Sequence, residues 1–171
     1  MDKLPISLCM IVKNEENMLD DCLRSVCGMV NEMIVVDTGS NDNTVEIAQK
    51  LGARVYFQEW NEDFAEARNK AIYYAKNPWI FQLDADEELA PKGHNWFYKT
   101  YPWAGKEGYL LAIDNLTKLE QNEVFTAHYA IRFFRNTSSI NYKNKIHETV
   151  SLDWSKAGKG SARIIHKGYA I

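Results

Sequence analysis

The first ninety residues alternate between two hydrophobic periods. Residues 6–12 form an apolar run with the length and character of a strand buried on both faces. A polar stretch at 13–16 follows, and then Leu19, Cys22, Leu23, Val26 and Val30 recur at helical spacing to give one apolar face. Residues 33–36 read as a second short buried strand ending at Asp37, after which 37–44 is rich in turn formers. Asn43 with Glu46 three positions on predicts a capping box and a helix through Leu51, with Gly52 as its stop. Residues 54–57 predict a third strand. Asp63 with Glu66 repeats the capping pattern, and the helix it opens carries Phe64, Ala67, Ala71, Ile72 and Ala75 on one side and ends before Pro78. A fourth strand, 79–83, runs directly into Asp84-Ala85-Asp86.

The order is β-α-β-α-β-α-β, which implies an α/β fold with a mostly parallel sheet flanked by helices. Right-handed crossovers place the C-terminal ends of these strands on one edge, where open α/β sheets bind ligands. The polar groups at 14–16, 37–40 and 84–86 are therefore expected to converge. After Glu88 the pattern weakens. Residues 108–114 and 129–134 suggest a hairpin separated by the polar stretch 118–123, and 164–166 suggests one more strand. The expected layout is a single domain over 1–171, with 1–89 as one half and a smaller β region in 90–171.

Composition narrows the function classes. The chain has 171 residues, enough for one domain with a substantial core. With 20 Lys and Arg against 23 Asp and Glu, the net charge of −3 provides no basic field for nucleic acid or an anionic membrane. Cys9, Cys22 and Cys27 are odd in number, lack C-x-x-C spacing and sit in apolar patterns, so they read as core thiols in a reducing cytoplasm rather than as disulfides or a zinc site. No apolar run approaches the ~20 residues of a membrane span, and the N-terminus has no signal-type cleavage site. The expected location is the cytoplasm, with peripheral contact at the inner face of a membrane left open. Neither G-x-G-x-x-G nor a P-loop is present, which disfavours a dehydrogenase or a P-loop enzyme.

Asp84 and Asp86 are two apart at the end of a buried strand, where paired carboxylates call for a cation beside them. Mg2+ and Mn2+ suit such a place, taking one or two carboxylates and completing their shell with phosphate oxygens and water. Glu87 and Glu88 read as the acidic start of a turn or helix. Asp37 suits acceptance of hydrogen bonds from a base or ribose, or else an Asx turn; the first is preferred. Arg68 suits a pyrophosphate or a local salt bridge to Glu66 or Asp63. His147, Glu148 and His166 are structural residues, or else a metal ligand (either His) and a general base (Glu148).

Four segments taken together, 7–16 (SLCMIVKNEE), 35–44 (VVDTGSNDNT), 60–69 (WNEDFAEARN) and 83–88 (LDADEE), resemble glycosyltransferase family 2, whose members are inverting enzymes of GT-A fold. Segments 132–136 (RFFRN), 145–148 (KIHE) and 166–169 (HKGY) are similar to a bacterial branch that includes lipopolysaccharide core transferases and enzymes carrying helical repeats. The resemblance implies a nucleotide-diphosphate sugar donor, a UDP-sugar first, and a glycan, lipid or protein acceptor. It implies that Val12, Asn14, Glu16, Asp37 and Ser40 surround the nucleoside, that Arg68 lies near base and diphosphate, and that Asp84, Ala85 and Asp86 meet ribose, Mg2+ or Mn2+ and diphosphate. Asp86 is then the direct metal ligand, His166 a third ligand beside Asp84, and Glu148 the base, with His147 as its competitor. A non-catalytic nucleotide-sugar-binding domain and a nucleotidyltransferase are the alternatives. More helix is expected beyond His166 to close over donor and acceptor.

Overall fold

The computed structural model describes residues 2–118 and 123–168. The middle of the polar stretch expected between the hairpin strands, 119–122, and Tyr169 of the last motif lie outside the described residues. Ten strands are named here in chain order: β1 (Leu4–Val12), β2 (Val30–Asp37), β3 (Arg54–Phe57), β4 (Trp79–Gln82), β5 (Glu87–Leu89), β6 (Gly108–Lys118), β7 (Glu123–Arg135), β8 (Tyr142–Lys143), β9 (Thr149–Val150) and β10 (Ala157–His166). The helices are α1 (Leu19–Arg24), α2 (Thr44–Lys50), α3 (Phe64–Tyr74) and α4 (Gly93–Thr100).

Eight strands form one sheet in the order β3-β2-β1-β4-β7-β6-β10-β5, and β8 with β9 forms a small antiparallel sheet. β1 is the buried centre, paired in parallel with β2 on one side and β4 on the other. That placement explains its unbroken apolar run: Ile6, Leu8, Cys9, Met10 and Val12 are all buried. The strand order reverses between β1 and β4, so the ends of these two strands open the crevice in which α/β sheets bind ligands. The expected hairpin exists as β6 and β7, but it joins the main sheet, with β7 antiparallel to β4. β10 then lies parallel to β6 and returns His166 to the same edge.

Several local expectations differ from the structure. Val30 does not continue the face of α1; it begins β2. The helix ends early because Ser25 Oγ donates to the Cys22 carbonyl, 2.6 Å away, which competes with the helical ladder. Asn43 makes no side-chain cap on α2. Asp42 holds the Thr44 amide, and Asn43 instead donates to Glu16 Oε2. Gly52 does end the turn after α2, with φ of +86°. Asp63 caps α3 by accepting from the Glu66 amide; Ala65, Ala67, Arg68 and Ala71 are buried, while Phe64 at the helix start is partly exposed and lines a cavity with Trp60. The alanines let α3 lie close enough to the sheet for Arg68 to reach Asp84 just beyond the end of β4. Glu87 and Glu88 belong to β5, not to a turn or helix. Cys9 and Cys22 are buried free thiols and Cys27 is half-buried.

Candidate active site

Two cavities meet at the C-terminal edge of the sheet. The first, about 440 Å³, lies between the ends of β1 and β4 and is lined by Val12, Thr38, Trp60, Asp86 and His166, among others. The second, about 420 Å³, lies over β7 and the β8–β9 sheet and includes Tyr142, Glu148 and Trp154. Arg68 and Asp84 line both, and so form the wall between them.

That wall is a lattice of opposed charges. Arg68 Nη2 donates to Asp84 Oδ1 at 2.8 Å, and its Nε donates to Glu148 Oε1 at 2.7 Å. Arg132 Nη2 donates to Asp84 Oδ2 at 3.2 Å and to Glu87 Oε1 at 2.6 Å, while its Nη1 donates to Gln82 Oε1. Gln82 Nε2 gives Asp84 Oδ1 a further bond at 2.9 Å. Burial alone would raise the Asp84 carboxyl, but the two guanidiniums outweigh it and hold the group well below the ordinary carboxylate range. Burial dominates at Glu87, and the charges of Asp84 and Asp86 add to it, so Glu87 is pushed up to about 7 despite Arg132. At Arg68 burial opposes the charge, yet Asp84, Tyr142 and Glu148 together raise its pKa. Arg68 thus pairs with two carboxylates from elsewhere in the chain, and not with the Glu66 or Asp63 that its sequence position offered as one alternative.

Glu148 immediately precedes β9. Its hairpin is fixed to α3 by Asn69, whose side-chain amide accepts from the Tyr142 N–H at 2.7 Å and donates to the Tyr142 carbonyl at 2.9 Å. The Phe64 amide donates to the Lys145 carbonyl, so α3 secures the loop as well. Within that loop His147 is exposed, with φ of +57°, whereas Glu148 is directed onto Arg68.

At the donor-side end, Asp86 Oδ2 and His166 Nε2 are 3.0 Å apart. Asn115 Nδ2 donates to Thr126 Oγ1, which turns Asn115 Oδ1 toward His166 Nδ1, 2.9 Å away. His166 Nε2 thus faces a carboxylate oxygen, a pairing of the kind that can hold a cation beside it. The Lys167 amide donates to the Asp86 carbonyl at 2.8 Å, and Gly168 lies over the pair so closely that a Cβ there would press on Asp86 Oδ2 and sit 2.9 Å from His166 Nε2. The donor set, one carboxylate whose backbone the Lys167 amide holds and one imidazole that Asn115 holds, fits Mg2+ or Mn2+ whose remaining ligands come from phosphate and water. Among the described residues no three His, Cys, Asp or Glu side chains gather into a complete protein-only site. Both Asp84 oxygens are already engaged by arginine and glutamine.

The expected nucleoside residues fall into two groups. Val12 lines the first cavity. Asn14, Glu16, Asp37 and Ser40 instead stitch its rim: Ser40 Oγ accepts from the Asn14 amide, Asp37 accepts from the amides of Gly39 and Ser40, and Glu16 accepts from Asn43. Ala85 is buried between the two acids and carries Asp86 around the turn. Sequence reasoning missed Gln82, Glu87, Arg132, Tyr142 and Trp60. A lone cation inside the apolar run of β7 was the signal available for Arg132.

A protein-family model described as glycosyl transferase family 2 matches residues 7–160. A TPR repeat-containing protein of Synechococcus elongatus is 39% identical over 150 residues, which cover 85% of this chain and 35% of that protein. The SPbeta prophage-derived glycosyltransferase SunS of Bacillus subtilis is 31% identical over 152 residues, covering 86% of this chain and 35% of SunS. The chain thus spans about a third of the length of these relatives. Among solved structures, S. aureus TarS in complex with UDP-GlcNAc superimposes with a TM-score of 0.58 at 20% identity, covering 66% of this chain and 35% of that one. Glucosyl-3-phosphoglycerate synthase from Mycobacterium tuberculosis, in complex with Mn2+, UDP and phosphoglyceric acid, gives a TM-score of 0.50 at 23% identity, over 65% of this chain and 42% of that one. These structural likenesses establish the GT-A-type fold.

Proposed function

The chain belongs to glycosyl transferase family 2, and we propose that it moves a sugar from a nucleoside-diphosphate donor to a hydroxyl of a glycan, lipid or protein acceptor by a single in-line displacement with inversion. The observation that carries this reading is the junction of two cavities at Arg68 and Asp84, with a metal-type pair on one side and a carboxylate on the other. The solved relatives of this fold with UDP-GlcNAc or with UDP and Mn2+ support a UDP-sugar as the first donor to test.

In this reading the donor occupies the cavity of Val12, Thr38 and Trp60, with its diphosphate toward Asp86 and His166. A divalent Mg2+ or Mn2+ held by those two side chains would supply charge to neutralise the departing diphosphate. Asp84, clamped by Arg68, Gln82 and Arg132, is preorganised to receive the donor's ribose and sugar hydroxyls without rearranging. Glu148 takes the proton of the attacking acceptor hydroxyl. Arg68 holds its Oε1, and Oε2 is the oxygen assigned to the incoming proton. His147, exposed in the loop, is not given that role. The cavity walls keep donor and acceptor on opposite sides of one reacting point, which lowers the entropic barrier to displacement.

The test is a panel of UDP-, GDP- and dTDP-sugars with Mg2+ or Mn2+, scored for thermal stabilisation and nucleoside-diphosphate release. Asp86→Ala is expected to lower turnover by about 10²-fold or more, and Glu148→Gln to keep donor stabilisation while losing transfer. Unchanged affinity and turnover in Asp86→Ala would overturn the assignment. Donor stabilisation without any release would make the domain a nucleotide-sugar binder, and pyrophosphate release from a nucleoside triphosphate would make it a nucleotidyltransferase.

A further inference from the structure

A third cavity, about 360 Å³, continues from the acceptor side: Tyr129 lines both it and the 420 Å³ cavity. The three cavities therefore form a series, linked first by Arg68 and Asp84 and then by Tyr129. The third lies across the face of β7, β6 and β10. Its form follows from the strand register. Tyr129 of β7 is opposite Ala112 of β6, and Ala112 is opposite Arg163 of β10. Three neighbouring strands thus present a row of large, small and large side chains, with the alanine methyl as the floor of a trough. At ~4.8 Å between strands, the row is ~10 Å wide, about the length of two linked pyranose rings.

The walls are polar and fixed. Arg163 is held by Asp114, with Nε donating to Oδ2 at 2.6 Å and Nη2 to Oδ1. The Lys159 ammonium sits 4.0 Å from the centre of the Tyr129 ring. Gly160 faces Leu111 and Trp96 on the other side of the sheet, so the alternation of β10 turns Lys159, Ser161 and Arg163 to this face. Tyr129 is 47% exposed and Trp154, at the mouth of the middle cavity, is 66% exposed.

We propose that the acceptor is a carbohydrate chain of at least two or three rings, whose reacting hydroxyl meets Glu148 and whose further rings lie on Tyr129 and in the Ala112 trough up to Arg163. The proposal rests on the glycosyltransferase reading and names the substrate class for its acceptor side. Aromatic faces accept the C–H faces of pyranose rings, and guanidinium, ammonium and hydroxyl groups along both walls address ring hydroxyls. A peptide is a poorer fit. The floor of the trough offers an alanine methyl rather than the apolar side-chain pockets that give a bound peptide its specificity.

The experiment uses the full chain with the donor identified by the nucleotide-sugar panel. Nucleoside-diphosphate release is followed with neutral chito-oligosaccharides and acidic oligogalacturonates of one, two and four rings, and 15N amide shifts are recorded with the same sugars. The expected result is that KM falls by roughly fivefold or more from one ring to four, the scale of one well-placed aromatic contact, with shifts spreading from Val150 to Tyr129, Lys159 and Arg163. Ala112→Leu fills the trough, and should abolish the advantage of four rings while leaving background donor hydrolysis unchanged. Should that variant fold poorly, Tyr129→Ala, at an exposed position, must reduce the same advantage. Equal KM at all lengths, shifts confined to the middle cavity, binding of peptides or lipids alone, or no saccharide binding along the row would each overturn the proposal. Background donor hydrolysis in the same samples reports separately on the glycosyltransferase reading.

Discussion

Arg68→Met tests the charge lattice directly. In the folded chain Arg68 is 10% exposed at its side chain and gives one bond to Asp84 and one to Glu148. Methionine fills a similar volume but leaves both carboxylates without that partner. Breaking a buried pair by removing one member costs about 3–5 kcal/mol. Asp84 keeps Arg132 and Gln82, and a third of its side chain is exposed, so the lower end of the range applies, about 3 kcal/mol. For a chain of this size that is a fall of roughly 9 °C in Tm. The pH dependence has a defined sign. Asp84 has a depressed pKa, so its pairing contributes stability above the unfolded value of 3.8 and loses it as pH falls through the lower folded value. Arg68→Met relieves part of the depression. The stability gap between wild type and variant should therefore hold constant from pH 7.5 down to about 4 and shrink only below that, as pH falls toward about 2. Urea unfolding across that range measures it, in metal-free buffer. Arg68→Lys should recover less than half of the loss, because an ammonium cannot reproduce the fork that spans Asp84 and Glu148. A gap under about 1 kcal/mol, or one that does not change with pH, would refute the claim that this lattice holds the two cavities together.

Two further outcomes concern neighbours of the lattice. Glu87 is pushed up to about 7 by burial, so in wild type its contribution is fully present below the unfolded carboxylate value near 4.5 and is lost as pH rises toward 7, a change on the order of 3 kcal/mol; Glu87→Gln should flatten urea-unfolding free energies over that window, and an unaltered slope would exclude Glu87 as its source. Gly168→Ala places a methyl group against Asp86 Oδ2 and His166 Nε2, which are side-chain ends and can separate, so stability should change by less than about 1 kcal/mol while Mn2+-dependent stabilisation by a nucleotide sugar is lost; retention of that metal dependence would remove the Asp86–His166 pair from the site.

The legible and illegible parts of the chain differ for physical reasons. β1, β2 and β4 are buried on both faces, so their sequence is an apolar run, and each ends abruptly in polar residues at the functional edge. Asp84 and Asp86 stood out because they follow such a run. Glu87 did not, because a buried acid within an acidic cluster has the same sequence as a solvated one; its partners in the fold are the Asp84 amide and Arg132, the latter 45 residues away. β8 and β9 have two residues each, too few to show a period, and the hairpin that carries Glu148 depends on Asn69 for its position. The pairing of His166 with Asp86 joins residues 80 positions apart and follows from β10 pairing with β5 and β6, which no local pattern specifies. Phe64 shares the stripe of Arg68 and Ala71 on α3 but sits at the helix start, where it lines the first cavity instead of the core.

The chain order divides the work. Residues up to Asp86 form the donor cavity almost alone, from strand ends that the topology must bring together whatever the acceptor. The acceptor cavities are made by β7, the β8–β9 hairpin and β10, added across β4 and held to the first half through a few polar contacts. Among the described residues, Arg68 Nη1, Arg132 Nε and Tyr142 Oη are buried without a protein partner, and all three side chains line the middle cavity. Unfilled donors at that depth are costly unless a ligand oxygen or water meets them. Their concentration at the junction is what a site built for oxygen-rich substrates on both sides requires. It also explains why each acid of the lattice has a guanidinium partner: the arginines must stay fixed when the substrates displace water, and the acids hold them in place.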